Sequence, residues 1–292
     1  MQTTTTRRRP VQVPTARTAD RYALYMAAVQ EPEAEVRFID RVYRGLNGRR
    51  AVSLREDFCG TFGICCAWAT SGGAGLERTA LGVDLDPEPI AWGVAHHLGA
   101  LDEPARARVG VLQADVLSER VRRAGPAGGF DAIAAFNFSY WVLMERALLL
   151  RYLRACRGSL ARGGALFLDA FGGPDAHREL TESRRCKGFT YVWNQERYNA
   201  IDGVMRCSIG FRFRDGTELP RAFRYTWRLW TLPEIADMLR EAGFGSVDVY
   251  WEGDDGKGGG DGVFRKARFG DAGNAFICYI VAHDGPADRP AD

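Results

Sequence analysis

Residues 51–63, Ala51-Val-Ser-Leu-Arg-Glu-Asp-Phe-Cys-Gly-Thr-Phe-Gly63, join a short apolar strand to an acidic turn that contains glycine. The apolar run 64–69 follows at once and is typical of a helix. A strand, a glycine turn and a helix in this order present backbone N–H groups at the carboxyl edge of an α/β sheet. A second acidic turn, Gly82-Val-Asp-Leu-Asp86, follows another apolar strand. Together the two turns predict a nucleoside site at that edge.

Strands and helices alternate from residue 51 to residue 171, which predicts right-handed βαβ units and a parallel sheet. Two helices at 20–30 and 32–46 precede this sheet. They form either a brace packed on the sheet or a lid that places Tyr22 or Tyr25 over a bound ligand. The strands are predicted at 51–54, 79–83, 108–112, 131–136 and 165–171, and the helices between them near 64–70, 87–98, 117–123 and 143–160.

The pattern changes after residue 185, where aromatic and polar residues alternate with period two. The runs 189–194, 211–214 and 223–229 indicate strands, and two Asp-Gly pairs supply the turns, so an antiparallel meander is predicted. One of its faces is aromatic and the other is polar or basic. We expect the aromatic face to pack over the carboxyl edge of the parallel sheet, as a packing platform, as a substrate cap, or as both.

A helix from Thr231 to Gly243, a strand at 247–251, a glycine-rich loop at 253–273 and a last strand at 275–282 follow the meander. The loop is long and polar, and is either mobile or folded over a ligand. The predicted organisation is a disordered tail at 1–19, a helical lid or brace at 20–50, a nucleoside-binding α/β core at 51–185, an antiparallel β cap at 186–230, a C-terminal completion of the core sheet at 231–283, and a tail at 284–292.

The composition argues against several classes of protein. A net charge of +2 over 292 residues gives no electrostatic footprint for nucleic acid. No apolar run approaches the roughly 20 residues of a membrane span, and the Thr- and Arg-rich start lacks the apolar centre of a secretory signal. Seven cysteines without a Cys-x-x-Cys pair fit free thiols in a reducing cytosol, and with only four histidines a Cys/His metal site is not expected. We therefore expect a cytoplasmic protein without a membrane partner; its oligomeric state is left open.

The glycine turn is by itself a weak signal. A dinucleotide fingerprint has the form Gly-x-Gly-x-x-Gly, whereas here only Gly60 and Gly63 are present, and Phe58 and Phe62 occupy positions where small residues are expected. The turn also lacks the Lys and Ser/Thr of a phosphate-binding loop. S-adenosylmethionine (SAM) carries no phosphate and needs less backbone cradling. These departures therefore count more against NAD than against SAM.

Further segments complete an ordered set of motifs. In this order they resemble the motifs of class I SAM-dependent methyltransferases, and the resemblance covers residues 20–283. It implies a Rossmann-like sheet that is mostly parallel with an antiparallel last strand, here joined by the aromatic-rich meander as a cap. The Arg-Glu-Asp-Phe-Cys-Gly-Thr segment also resembles a little-characterised bacterial subgroup of that family. The segments are 56–62, 82–87, Gln113-Ala-Asp-Val116, Phe136-Asn-Phe-Ser139, 160–168 and the closing helix 230–244.

The resemblance implies SAM as the cofactor and distributes its parts over the turns. The backbone of Cys59, Gly60 and Thr61 is expected to hold the methionyl part, with Glu56 or Asp57 near its ammonium group.

The remaining cofactor contacts come from the next strands and the leader. Asp84 is expected to accept both ribose hydroxyls bidentately, and Leu85 beside it is assigned to the same site. Asp115 is expected to receive the adenine amino group, and Val116 to pack on the ring. Tyr25 closes the site from the leader.

The acceptor is expected at the exit of the fourth strand, 137–141. Asn137 is assigned to both the cofactor and the acceptor, since its amide can bind an amine or a hydroxyl. Tyr140 is predicted to wall the pocket, and Asp169, near the end of the fifth strand, to orient an amine or act as a base.

We therefore expect a methyl transfer from SAM to an N, O or C atom of a small-molecule acceptor by in-line displacement. One alternative is another SAM-using enzyme on the same fold, of the cyclase or aminopropyl-transferring type. A second is a non-catalytic SAM-binding or interaction protein that uses the basic tail as its contact. An RNA or protein acceptor would use Arg7–Arg9 and the arginine-bearing face of the meander, and would bind in a salt-dependent manner.

Overall fold

Twelve strands form two sheets in the computed structural model of the chain, which describes residues 14–73, 75–254, 256 and 259–284. The predicted tail segments 1–13 and 285–292, with Arg7–Arg9, lie outside the described residues. The strands are β1 Ser53–Asp57, β2 Thr79–Asp84, β3 Val109–Gln113, β4 Phe130–Ala135, β5 Leu160–Gly172, β6 Leu180–Arg185, β7 Phe189–Tyr198, β8 Val204–Phe213, β9 Glu218–Arg228, β10 Ser246–Asp254, β11 Gly260–Ala267 and β12 Phe276–His283.

Eight α-helices connect and cover these strands in the described part of the chain. Three short 3-10 helices, at Leu98–Ala100, Ser139–Val142 and Pro174–His177, complete the connections. The α-helices are α1 Arg21–Val29, α2 Pro32–Asn47, α3 Gly63–Thr70, α4 Pro87–His96, α5 Glu103–Arg106, α6 Glu119–Arg123, α7 Arg146–Ser159 and α8 Leu232–Glu241.

The large sheet has the strand order β11-β10-β12-β5-β4-β1-β2-β3. Strands β1 to β5 are parallel, and β12 runs antiparallel to β5. The central strands β1 and β4 are buried along their whole length, as strands covered by helices on both faces must be. The order of the strands reverses between β1 and β4, because β2 and β3 are added on one side of β1 whereas β4 and β5 are added on the other, and this places a crevice at the carboxyl ends of β1 and β4. The predicted parallel sheet with an antiparallel last strand is confirmed.

The small sheet has the order β6-β7-β8-β9 and is antiparallel throughout. Its aromatic face covers the carboxyl edge of the large sheet, where Trp227 packs beside Phe138 and Trp141. The predicted antiparallel aromatic meander is therefore confirmed as part of the fold.

Helix α1 bridges the two sheets. Asp20 caps the helix by accepting the N–H groups of Tyr22 and Ala23, and its second carboxylate oxygen accepts the Trp92 indole N–H of α4 at 2.6 Å. The Tyr22 ring lies 5.8 Å from Trp92 and 5.7 Å from Phe223 of β9. The leader thus closes over the crevice between the large and the small sheet.

Three segments differ from the sequence-based expectation. Residues 180–185, predicted within the α/β core, form β6 and pair with β7 of the small sheet. The predicted glycine-rich loop 253–273 contains β11, which pairs with β10. Residues 14–19, predicted within the tail, form a turn against the small sheet, where the Ala16 N–H donates to the Thr217 hydroxyl at 3.0 Å. These segments lie at exposed edges and are polar in composition, so no apolar pattern in the sequence predicts them.

All seven cysteines are free. Among the described residues, the helices are too short or too polar to cross a bilayer.

Candidate functional site

The turn after β1 is built on left-handed backbone. Phe58, Gly60 and Phe62 have φ angles of 55°, 52° and 46°. This region is natural for glycine but costs an ordinary residue about 1–2 kcal/mol. The turn is held by the Cys59 N–H, which donates to the Val83 carbonyl of β2 at 3.0 Å. Helix α3 then begins at Gly63 and points its N-terminus at the sheet edge.

Packing compensates for the strain at the two phenylalanines. Phe62 is fully buried, and its ring lies so close to α4 that only a glycine fits at position 93. Phe58 packs edge-on against Tyr152 of α7, with ring centroids 5.6 Å apart. Phe62 is therefore a core residue, whereas the half-buried Phe58 also lines the cavity at the sheet edge that is described below, and together they fix the turn between α4 and α7.

Asp84, at the end of β2, joins the two acidic turns. Its Oδ2 accepts the Gly60 N–H at 2.7 Å, and its Oδ1 accepts the Asp86 N–H at 2.9 Å. Burial raises the pKa of the Asp84 carboxyl, and the two N–H donors partly offset that rise. Each carboxylate oxygen keeps a second lone pair that can accept a ligand hydroxyl.

Glu56 and Glu35 are buried acids behind the turn. The Cys65 N–H in the first turn of α3 donates to Glu56 Oε2 at 3.1 Å, while Glu35 Oε2 has no partner among the described residues. Burial raises the pKa of Glu56 to about 8. Burial, and then the charge of Glu56, raises the pKa of Glu35 to about 8. A cationic ligand bound next to Glu56 would therefore favour the ionised form of these carboxyl groups.

Asp57, the next acid of the motif, has its main partners on the face of the sheet that α7 covers. Its carboxylate contacts the buried Arg55 guanidinium at 2.9 Å and accepts the Tyr152 hydroxyl at 3.0 Å. This pair anchors the end of β1 to α7. Asp57 reaches the cavity described below but is already matched in charge.

The exit of β4 is also left-handed. Asn137 and Phe138 have φ angles of 57° and 56°, and their N–H groups donate to the Asp169 carboxylate at 2.7 and 2.9 Å. Burial raises the pKa of Asp169 to about 7, against the lowering effect of these two donors. The Asn137 side-chain amide has no hydrogen bond within the described chain and faces the crevice.

Two cavities meet at this exit. The first, of ≈ 530 Å³, lies at the sheet edge between the glycine turn, Asp84, α1 and β9, and we call it the sheet-edge cavity. The second, of ≈ 450 Å³, lies under the small sheet and is walled by rings, and we call it the aromatic cavity. Four residues line both cavities, namely Tyr25, Asn137, Tyr225 and Trp227.

The structure brings most of the predicted site residues to the sheet-edge cavity. These are Tyr25, Glu56, Asp57, Cys59, Gly60, Thr61, Asp84 and Asn137. Five predicted residues line neither cavity, namely Leu85, Asp115, Val116, Tyr140 and Asp169.

The five have distinct surroundings. Leu85 is 66% exposed, and Asp115 is an exposed turn residue whose Oδ1 accepts the Leu117 N–H at 2.8 Å. Val116 is buried in the main core. Tyr140 is fully buried, because the left-handed residues before it turn its ring inward, and its hydroxyl donates to the Asp169 carbonyl at 2.8 Å. Instead of facing the crevice, Tyr140 and Asp169 brace it from behind.

Sequence reasoning missed two residues of these cavities and one buried acid behind the glycine turn. The buried acid is Glu35, which lies three and four residues before Phe38 and Ile39, on the apolar face of α2, and an acid at that spacing signals burial. Gln30, whose carbonyl oxygen is buried without a partner, lines the sheet-edge cavity. Glu182 of β6 lines the aromatic cavity, but the polar run around it gave no strand signal.

Neither a protein-family model nor a curated protein matches the chain. Solved structures share its fold. A SAM-dependent methyltransferase from Clostridium acetobutylicum aligns with a TM-score of 0.61 at 13% identity, covering 90% of this chain and 97% of that one. DesVI from Streptomyces venezuelae aligns with a TM-score of 0.61 at 16% identity, covering 90% and 95%. The SAM-bound amino pentose methyltransferase CalS10 from Micromonospora echinaspora aligns with a TM-score of 0.57 at 19% identity, covering 88% and 95%.

Proposed function

We propose that the protein transfers a methyl group from SAM to a small-molecule acceptor. One observation carries the proposal: the sheet-edge cavity and the aromatic cavity meet at Asn137, at the carboxyl end of the central strand β4. A reaction between two bound molecules requires such a junction, because both reacting atoms must reach one point.

The polar groups of the sheet-edge cavity fit SAM. Glu56, Asp84 and the Gln30 carbonyl are acceptors, and SAM offers donors in its ammonium group and ribose hydroxyls. Three arginines also line this cavity, namely Arg21, Arg221 and Arg224. It is therefore the Asp84 carboxylate beside the turn, and not the charge of the whole cavity, that disfavours the phosphates of a dinucleotide. The set of acceptors thus supports SAM over NAD.

We assign the parts of SAM as follows. Asp84 accepts the ribose hydroxyls, since both of its oxygens keep a free lone pair. Glu56 and Gln30 face the ammonium group, and the backbone of 59–61 lies along the methionyl chain. The adenine assignment to Asp115 and Val116, and the assignment of Leu85 to the cofactor site, stay predictions that rest on the family resemblance.

When bound, SAM supplies an electrophilic methyl carbon and departs as S-adenosylhomocysteine. The chain's task is to orient the acceptor and exclude water, and orientation of this kind supplies roughly 7–11 kcal/mol. The Asn137 amide holds the nucleophilic atom at the junction, and Asp169 and Tyr140 fix the backbone of Asn137 from behind. Tyr25 of α1 covers the junction.

The acceptor is proposed to be small because the aromatic cavity, of ≈ 450 Å³, is walled by the small sheet and by residues of α1. Solved structures of this fold include methyltransferases of sugars and of an amino pentose, which supports the same class of acceptor here. We assign residues 20–50 as a lid, 51–185 with 231–283 as the cofactor-binding core, and 186–230 as the cap. Free, mostly buried cysteines support a cytoplasmic location.

Calorimetry with SAM and S-adenosylhomocysteine tests the cofactor. Wild type is expected to bind both, and Asp84→Ala to lose at least ~10-fold in affinity, about one bidentate charged hydrogen bond. Asp102→Ala is the matched control, because Asp102 caps α5 away from both cavities. Failure of wild type to bind either compound would refute the proposal. Methylthioadenosine as the product, in place of S-adenosylhomocysteine, would indicate a different SAM-using enzyme.

A further inference from the structure

The aromatic cavity has a marked charge bias. Its lining includes the acids Asp175, Glu182 and Glu252, and among the described residues no Lys, Arg or His lines it. Two of these acids are engaged: Asp175 pairs with Arg178 at 3.1 Å, and Glu252 accepts the Gly262 N–H at 2.9 Å.

Glu182 is the unengaged acid. Within the described residues its carboxylate has neither a hydrogen bond nor an ion pair. It pairs with Trp193 across β6 and β7, so the two side chains lie side by side on one face of the small sheet. The neighbouring Arg184 donates to the Ala28 carbonyl and does not line the cavity.

The walls beside Glu182 are ring faces. Trp193 and Trp227 are stacked with centroids 6.2 Å apart, and Tyr225 and Trp227 with centroids 4.5 Å apart. Phe138 and Phe171 close the opposite wall at 4.7 Å from each other. A carboxylate next to several aromatic faces attracts a cation by charge and by the ring quadrupoles, and it repels an anion.

We infer that the acceptor is an amine on an apolar body, bound as its cation in the aromatic cavity by Glu182 and the rings of Trp193 and Trp227, with its nitrogen directed to Asn137. This inference rests on the proposed function and names its acceptor class. It excludes acceptors that carry a carboxylate or a phosphate near the reacting atom.

The reaction then balances as follows. The bound ammonium loses one proton to solvent, and the nitrogen lone pair forms the new N–C bond while the C–S bond of SAM breaks. The electron pair of that bond stays on sulfur in S-adenosylhomocysteine. The product is a methylated ammonium ion, which keeps its attraction to Glu182 until it leaves.

The test uses cofactor-free protein and three probes of one shape: 2-naphthylmethylamine, 2-naphthylmethanol and 2-naphthoate. Calorimetry on wild type is expected to give about 10-fold tighter binding of the amine than of the alcohol, with the carboxylate weakest. Glu182→Gln is expected to reduce that preference to about 3-fold or less and to leave binding of the alcohol unchanged. Glu218→Gln is the control, since Glu218 lies in the same sheet, pairs with Arg212 and lines neither cavity.

Equal binding of amine and alcohol to wild type would overturn the inference, as would an unchanged preference in Glu182→Gln. SAM titrated into the same proteins separates the two failures and reports that the variants are folded. SAM binding without amine preference refutes the acceptor class alone. Amine preference without SAM binding refutes the methyl transfer, and with it the role of the amine as acceptor.

Discussion

The carboxylate of Asp169 on β5 accepts the backbone N–H of Asn137 at the exit of β4, at 2.7 Å. Its other oxygen accepts the Phe138 N–H, so one side chain holds two consecutive left-handed residues. Such residues persist only where the surroundings enforce them. Asp169 is thus a positioning residue, and it acts on the junction of the two cavities through Asn137.

Asp169→Asn should loosen this exit, because an amide offers one acceptor oxygen and sets its NH₂ group against the other N–H. We expect a loss of about 1–3 kcal/mol in the free energy of unfolding, measured in urea. Turnover should fall more than SAM affinity, since the proposed cofactor contacts of Glu56, Asp84 and Gln30 lie outside the exit of β4. Asp202→Asn, in an exposed turn where Oδ1 accepts the Val204 N–H, should cost less than about 0.5 kcal/mol. A loss of SAM affinity without a loss of turnover would contradict this role.

Gly93→Ala should separate α4 from the glycine turn. A Cβ at position 93 would lie 2.3 Å from the Thr61 carbonyl oxygen and 2.5 Å from the Phe62 ring. We expect about 1–3 kcal/mol of destabilisation and weaker SAM binding, measured by urea unfolding and calorimetry.

Gly158→Ala is the matched control for this change. Position 158 lies in α7 and has open space around a Cβ, so alanine should stabilise the protein by about 0.5–1 kcal/mol. Normal SAM affinity in Gly93→Ala would show that the turn does not depend on α4.

Asp20→Ala should release α1 from the crevice. The change removes the N-cap of α1 and the acceptor of the Trp92 indole N–H, at a cost of about 1–2 kcal/mol. Amide exchange over 21–29 and dissociation of SAM should both become faster. Asp102→Ala also removes an N-cap but lies away from the crevice, and should leave SAM dissociation unchanged. Equal dissociation rates in the two variants would mean that α1 is only a brace.

Glu35→Gln should change how stability depends on pH. The pKa of Glu35 rises from 4.5 to about 8 on folding, so between these values the folded protein keeps a proton that the unfolded chain has released. The free energy of unfolding therefore falls as pH rises through this window. In the variant, urea unfolding at pH 5.5, 7 and 8.5 should give a shallower fall and a gain over wild type at pH 8.5.

Glu33→Gln, an exposed change in the same helical turn, should follow wild type. The remaining slope in Glu35→Gln is expected from Glu56 and Asp169, whose pKa values are also raised. If the slope of the free energy of unfolding against pH were the same in Glu35→Gln as in wild type, the Glu35 carboxyl would have to be in contact with water.

The sheet could be predicted from sequence because its central strands are apolar runs that alternate with helices. Two of the four edge strands, β6 and β11, could not. In β6, Leu-Thr-Glu-Ser-Arg-Arg, five of six side chains are exposed, so no apolar period marks it. In β11 the apolar pair Val263 and Phe264 is embedded in glycine and charge. These two edge strands are specified by pairing with a neighbour, which local sequence does not record.

The directions of the side chains at the site could not be predicted from the sequence either. Tyr140 was expected in the pocket because it follows the end of the fourth strand, and Asp169 because it lies near the end of the fifth. The left-handed backbone at Asn137 and Phe138 instead rotates Tyr140 into the core and turns the Asp169 carboxylate toward the N–H groups. Asparagine tolerates this conformation, whereas phenylalanine gives no sign of it. Asp84 was predictable because the end of a parallel strand fixes where its side chain points.

The raised pKa values of Glu35 and Glu56 link the binding of a cation to the release of protons. At neutral pH burial keeps both acids largely protonated, and a cation in the sheet-edge cavity, which Glu56 lines, would favour the ionised form of Glu56. Binding of a positively charged cofactor should then expel protons, so the heat of binding would vary with the ionisation enthalpy of the buffer. The crevice would thus exchange protons for a bound cation.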